Sequence, residues 1–234
     1  MFRQSNCDLK IILVGDERSG KTCILKRLTE GKYTENYSPT LYDEFVTTIN
    51  SDLRDYKLNI IELGGSDQCA TYRKSCYEES DIILVCFSVV RPYEVLDIGS
   101  KWLPEIKKWN QNAYVMLVGT QTDLREDRVL VDELSKVGLK VVTYENGCEL
   151  VELVKPYKVC GYLECSALNR NSVSQLFEKV TTLTEPEAKC LYYCPSKLNK
   201  SFRMLKRKSP KFFKKFHKKN FSISNRFRSR NKST

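Results

Sequence analysis

The chain has 234 residues, of which 41% are hydrophobic and 29% charged, enough to build one substantial core followed by a tail. No apolar run approaches the roughly 18 residues of a membrane span, and residues 1–8 are polar, so neither a spanning helix nor a secretory leader is expected. The net charge of +10 is uneven: residues 197–234 hold 15 Lys and Arg and no acid, which leaves the first 196 near −5 and marks an interaction tail near +15.

Residues 9–14, LKIILV, form an apolar run short enough for a buried strand, and CILKRLTEG after Thr22 has helical spacing with Gly31 as a stop. Between them lies GDERSGKT, which satisfies G-x-x-x-x-G-K-[ST]. In a strand, loop, helix context this pattern binds phosphate, because loop N–H groups and the positive end of the helix point at one place. Gly15 and Gly20 let the backbone curl, with Asp16, Glu17, Arg18 and Ser19 between them. Lys21 is expected to reach the outer phosphates and Thr22 to offer its hydroxyl to Mg²⁺.

Residues 32–45 are polar, contain Pro39 and read as a loop into a strand. Residues 44–50 and 56–63, joined by SDLRD, predict an antiparallel hairpin. A polar helix is expected over 68–79, a fully apolar strand over 81–90, a helix over 93–109 and a strand over 113–119. Helical period returns over 128–137 and 145–154, GYLECSA carries the last strand, and 171–183 the last helix. Strands alternating with helices of 10 to 15 residues predict an α/β fold, a doubly wound, mostly parallel sheet with one antiparallel strand. Ligands bind such sheets at the carboxyl ends of strands, where Gly15, Glu62, Thr120 and Ser166 fall.

The ten cysteines have no Cys-x-x-Cys spacing and His217 is the single histidine, so the thiols are expected to be reduced, mostly buried, and no zinc site is expected. Trp102 and Trp109 are read as the inner face of one helix, and the charges at Arg125 to Arg128 as a solvated face.

With the phosphate loop followed in order by NYSPT, LGG, GTQTD and ECSAL, the chain resembles a Ras-superfamily small GTPase. The charged helix near 128–137 and the run VVTY make it similar to the Rho family over residues 7–185. The resemblance implies a P-loop GTPase fold with six strands, a GTPase domain over 1–188 and a basic tail over 189–234. It implies GTP or GDP and Mg²⁺ as ligands, with Thr22, Thr40 and Glu62 around the metal. Tyr33 is implied to lie over the guanine ring, Tyr37 to close over the phosphates, and Asp123 to pair with the guanine N1-H and amine. Ser166 and Ala167 match the loop whose backbone N–H meets the guanine carbonyl.

Five positions depart from the family's pattern. Glu17 and Arg18 stand where active members carry small residues, and Glu17 brings a carboxylate toward the γ phosphate. Glu62 replaces a shorter Asp beside an ion that demands near-ideal octahedra. Ser66, after Gly65, replaces the glutamine that orients the attacking water, and Gln121 replaces a lysine that packs along the base. The expectation is a membrane-associated signalling switch with slow or absent GTP hydrolysis; the alternative is a nucleotide-poor scaffold. Its loops near Thr40 and residues 65–72 are expected to meet effectors, and exchange factors are possible partners.

The tail is expected to bind anionic membrane on a cytosolic face, through basic residues interleaved with Phe202, Phe212, Phe213, Phe216, Phe221 and Phe227. The last residues, Asn231 to Thr234, do not form a prenylation box, whereas Cys190 and Cys194 are candidates for acylation. Phosphorylation at Ser209, Ser222 or Ser224 is expected to weaken membrane binding. Nucleic-acid binding is not expected, because the tail has no folded base-reading element.

Overall fold

The apolar runs assemble into one sheet of six strands in a computed structural model that describes residues 4–33, 38–50 and 54–185. Strand β1 (Gln4–Val14) lies between β3 (Arg54–Leu63) and β4 (Ile82–Ser88) and pairs with both in parallel. β5 (Tyr114–Thr120) and β6 (Val159–Glu164) continue the parallel sheet, and β2 (Tyr42–Asn50) closes the other edge antiparallel to β3. Every residue of β4 is buried, as an all-apolar strand in a sheet covered on both faces should be. β2 has a single neighbour and alternates between exposed and half-buried positions.

Pleating separates the two cores. On one face Ile12, Val14, Val85 and Phe87 pack with Trp102, Ile106 and Val151; on the other Ile11, Leu13 and Leu84 pack with Leu25, Phe177 and Val180. The first face is covered by α2 (Ala70–Glu78), α3 (Glu94–Asp97), α4 (Leu103–Trp109) and α6 (Tyr144–Leu153). The second is covered by α1 (Lys21–Thr29) and α7 (Arg170–Thr181), and α5 (Arg128–Lys136) carries only one buried residue, Leu134. This is the doubly wound arrangement expected from the sequence, with the antiparallel strand at an edge.

Two local readings change. The helix expected over 93–109 contains a π-helical turn at Ile98–Trp102 between α3 and α4, and this wider turn carries Lys101 and Trp102. The last strand ends at Glu164, so Cys165, Ser166 and Ala167 lie beyond it. The eight described cysteines are all free thiols, four buried and four half-buried. Tyr37, Cys190, Cys194, His217, Ser209, Ser222, Ser224 and the whole basic tail lie outside the described residues. No helix among the described residues is long and apolar enough to cross a membrane.

Candidate functional site

The loop between β1 and α1 is shaped by backbone conformations that side chains normally avoid. Gly15 and Gly20 have φ of 143° and 85°, and Arg18 adopts the left-handed region at 63°. A Cβ on Gly15 would stand 2.0 Å from the Cys86 carbonyl, so the loop leaves β1 in direct contact with β4. α1 then begins without a side-chain cap, whereas Asp127, Thr143 and Asn169 cap α5, α6 and α7. An uncapped helix start beside a glycine-rich loop leaves N–H groups for an anion.

Residues 17–23, 38–43, Lys26, Tyr33, Glu62, Gly64, Gly65 and Gln121 surround a cleft of about 780 Å³ at this point. Lys21 is buried, and its ammonium donates to the carbonyls of Gly15 and Asp16, both at 2.9 Å, and to Ser19 Oγ at 3.3 Å. Thr22 Oγ1 donates to Glu62 Oε1 at 2.6 Å and lies 3.4 Å from Thr40 Oγ1. Glu62 Oε2 is buried with no hydrogen-bond partner among the described residues, and burial pushes the Glu62 carboxyl above its ordinary range against the pull of Thr22 and Lys21. Two hydroxyls and an orphaned carboxylate oxygen within one pocket are hard oxygen donors that suit a divalent cation such as Mg²⁺.

A second cleft, about 620 Å³, is lined by Thr122, Asp123, Ser166 and residues 168–171. Asp123 sits on a 3₁₀ turn, Thr122–Glu126, and accepts a hydrogen bond from Ser166 Oγ, so the two motifs read from sequence meet here. Ser166 N–H donates to Ser172 Oγ and Leu168 N–H to Ser166 Oγ, both at 3.2 Å, and no such bond takes the Ala167 N–H among the described residues. Arg27, from α1, donates to the Ala167 carbonyl at 2.7 Å and lies beneath the Tyr33 ring. Gln121 and Thr122, consecutive in the chain, belong to one cleft each.

Other expected site residues act on the protein itself. Thr120 Oγ1 donates to the Ser19 carbonyl at 2.6 Å, joining β5 to the phosphate loop. Asp16 Oδ1 accepts from Trp102 Nε1 at 3.2 Å. Gln121 Oε1 accepts from Ser88 Oγ at 2.5 Å, and its amide nitrogen is 3.4 Å from the Arg18 carbonyl. Ser66 Oγ meets Cys69 Sγ at 3.3 Å, and Ser66 is not among the residues around the larger cleft. Gly65 packs against the phosphate loop so closely that a Cβ there would lie 2.7 Å from the Gly15 carbonyl.

The cations that hold these loops belong to none of the sequence motifs. Arg73 is buried and donates to the carbonyls of Gly64 and Ser66, and Lys101 donates to that of Gly65 at 2.7 Å. Arg125, read as part of a solvated charge run, is instead half-buried: its guanidinium grips both Glu164 oxygens and its Nε donates to the Val142 carbonyl at 2.9 Å. The reason is placement: Arg125 follows Asp123 by two residues and Glu164 precedes Ser166 by two, so the ion pair ties the two loops of the smaller cleft together. Trp102 is buried as expected, whereas Trp109 is only partly buried, with the ammonium groups of Lys74 and Lys108 4.4 and 4.5 Å from its ring.

Comparison with known proteins accords with this geometry. A model of the Ras family matches residues 10–185. The chain is also 33% identical over 192 residues to the GTP-binding protein rho5 of Schizosaccharomyces pombe, a match spanning 82% of this chain and 92% of that protein. With the phosphate loop, LGG, GTQTD and ECSAL each at the carboxyl end of a parallel strand, the chain belongs to the Rho family of Ras-superfamily small GTPases and is a Rho-type small GTP-binding protein.

Proposed function

We propose that the protein is a guanine-nucleotide switch that turns GTP over slowly and works at an anionic membrane surface. The larger cleft takes the phosphates on Lys21 and the N–H groups of residues 15–22. Thr22, Thr40 and Glu62 hold Mg²⁺, which would neutralise charge on the phosphates. The smaller cleft takes the base, with Asp123 reading the guanine donors and Ala167 its carbonyl.

Slow turnover rests on one observation: Ser66 turns its hydroxyl to Cys69 and does not line the cleft, so this loop offers no long polar side chain there to orient water. In this family the oriented water and an arginine supplied in trans are worth orders of magnitude in rate. Glu17 lines the cleft and adds a carboxylate where that arginine must approach. Effectors and exchange factors would meet the exposed Leu41, Tyr42, Val46 and Tyr72, on and beside the edge strand β2.

The test is single-turnover phosphate release from the full chain loaded with GTP. The expected result is a rate well below that of an active Rho protein, raised by Ser66→Gln. A wild-type rate equal to the active protein's would refute the reading. The alternative, a nucleotide-poor scaffold, draws on Lys21, whose ammonium already finds three oxygens within its own loop. Folded protein purified empty of nucleotide would favour it.

A further inference from the structure

The phosphate loop is also gripped from its outer side, by residues that no motif singled out. Arg91 lies in the turn between β4 and α3, and its Nη1 donates to the Glu17 carbonyl at 2.6 Å. Three contacts orient the guanidinium: Nε donates to Tyr93 OH at 2.5 Å, the Tyr93 ring lies 5.2 Å away, and Nη1 is 2.7 Å from Glu94 Oε1. Glu94 is itself fixed, 1% exposed, with Oε2 accepting the Ser88 N–H at 2.8 Å.

Ser88 carries the network to the other side of the loop. Its hydroxyl donates to Gln121 Oε1, and Gln121 reaches the Arg18 carbonyl. Two successive carbonyls, Glu17 and Arg18, are therefore held by one chain of contacts running Arg91, Glu94, Ser88, Gln121. The peptide between Glu17 and Arg18 joins the Glu17 carbonyl to the Arg18 N–H. A cation donating to that carbonyl polarises the peptide and strengthens its N–H as a donor. The same grip holds Arg18 in the left-handed conformation that a side chain resists.

The geometry points to Arg91 as a positioning residue for nucleotide retention: through the Glu17 carbonyl it fixes the phosphate loop and sets how long a bound guanosine phosphate stays. Arg91 acts through the loop backbone and needs no direct contact with the ligand. This inference rests on the nucleotide-binding reading above, and the experiment separates the two.

The full chain is loaded with a fluorescent N-methylanthraniloyl derivative of GDP or of a non-hydrolysable GTP analogue, and release is followed after adding excess unlabelled nucleotide. Arg91→Met keeps the aliphatic stem and removes every donor; the expected result is release faster by roughly tenfold, the scale of one lost charge-assisted hydrogen bond. Arg91→Lys restores a cation and should recover part of the difference. The β-phosphate ³¹P resonance of bound GDP should move in Arg91→Met, which a role confined to folding would not produce. If Arg91→Met does not fold, Glu94→Leu decides, since it removes the oxygen beside Arg91 whatever its protonation, leaves Arg91 in place, and should speed release several-fold. Failure of the wild-type chain to load any guanine nucleotide would overturn the binding reading. Loading with wild-type release rates and an unmoved resonance in Arg91→Met, or unchanged release in Glu94→Leu, would overturn the role of Arg91.

Discussion

Arg73 offers the sharpest test of how the loop after β3 is held. Its side chain is 1% exposed, and Nε and Nη2 donate to the two oxygens of Glu105 at 2.6 and 3.0 Å. Nη1 donates to the carbonyls of Gly64 at 2.9 Å and Ser66 at 2.7 Å, and the guanidinium lies 5.2 Å from the Trp102 ring. Arg73→Met keeps most of the packed stem while stripping these donors. Removing one partner of a buried ion pair costs about 3–5 kcal/mol. Because Glu105 retains 20% exposure and can recruit water, the lower end, about 3 kcal/mol, is expected here. For a domain of this size that corresponds to a fall in Tm of about 6–12 °C. Urea denaturation of the full chain measures it, with an unchanged m-value showing that the comparison is of like states. Replacing both partners, Arg73→Met with Glu105→Leu, should recover about 1 kcal/mol or more, because no uncompensated carboxylate is left. A loss below about 1 kcal/mol in the single variant would show that the contacts merely accompany a loop fixed by other means.

Glu94 gives a pH signature. Burial pushes its carboxyl up to about 8 from the ordinary 4.5, with Asp16 adding to the rise and Arg91 and Lys21 opposing it. A carboxyl that holds its proton more tightly when folded makes stability fall as pH rises between those two values, by up to about 1.4 kcal/mol per unit. Glu94→Gln should flatten that part of the profile, and an unchanged slope would remove Glu94 as its source. Arg125→Met should cost about 2 kcal/mol by urea denaturation, since it abandons Glu164 in a half-buried position; a loss within 0.5 kcal/mol, the range of ordinary surface changes, would return Arg125 to the solvated face first assigned to it. Deleting residues 189–234 should abolish co-sedimentation with vesicles containing phosphatidylserine, given about 1 kcal/mol for each basic residue near such a surface. Undiminished sedimentation of the truncated chain would refute the tail as the anchor.

The fold was legible because its central strands are buried on both faces: runs such as LKIILV and DIILVCFSVV carry no competing pattern. The phosphate loop was legible because its geometry is local, with glycines at fixed offsets between a strand and a helix. Asp123 and Ser166 lie 43 residues apart and were paired only through a resemblance to a family, and they do meet. What stayed hidden were the buried and half-buried cations. Arg73, Arg91 and Arg125 look like surface residues in one dimension, because the carboxylate and carbonyl groups that make burial tolerable come from distant segments: Glu105 is 32 residues from Arg73, and Glu17 is 74 from Arg91. Arg91 did leave one trace, a basic residue three before Glu94 at the end of an all-apolar strand, the i, i+3 spacing of a local ion pair.

The departures from the family pattern act on different quantities, and the geometry separates them. At position 121 an amide oxygen and nitrogen reach Ser88 and the Arg18 carbonyl, so the bridge across the loop is kept while a positive charge is lost. Position 17 leaves the loop backbone in place, with its carbonyl held by Arg91, but brings a carboxylate to the cleft. At position 66 the side chain is short and turned to Cys69. The first two changes alter the field felt by a bound phosphate, and the third alters only what can be done to a water beside it. Binding strength and turnover should therefore respond to separate substitutions: Gln121→Lys should slow nucleotide release and leave the rate of hydrolysis per bound GTP unchanged, while Ser66→Gln should raise hydrolysis and leave release unchanged. If either substitution moved both rates together, the loop would be yielding as a unit, not held rigid by Arg91, Gln121 and Thr120.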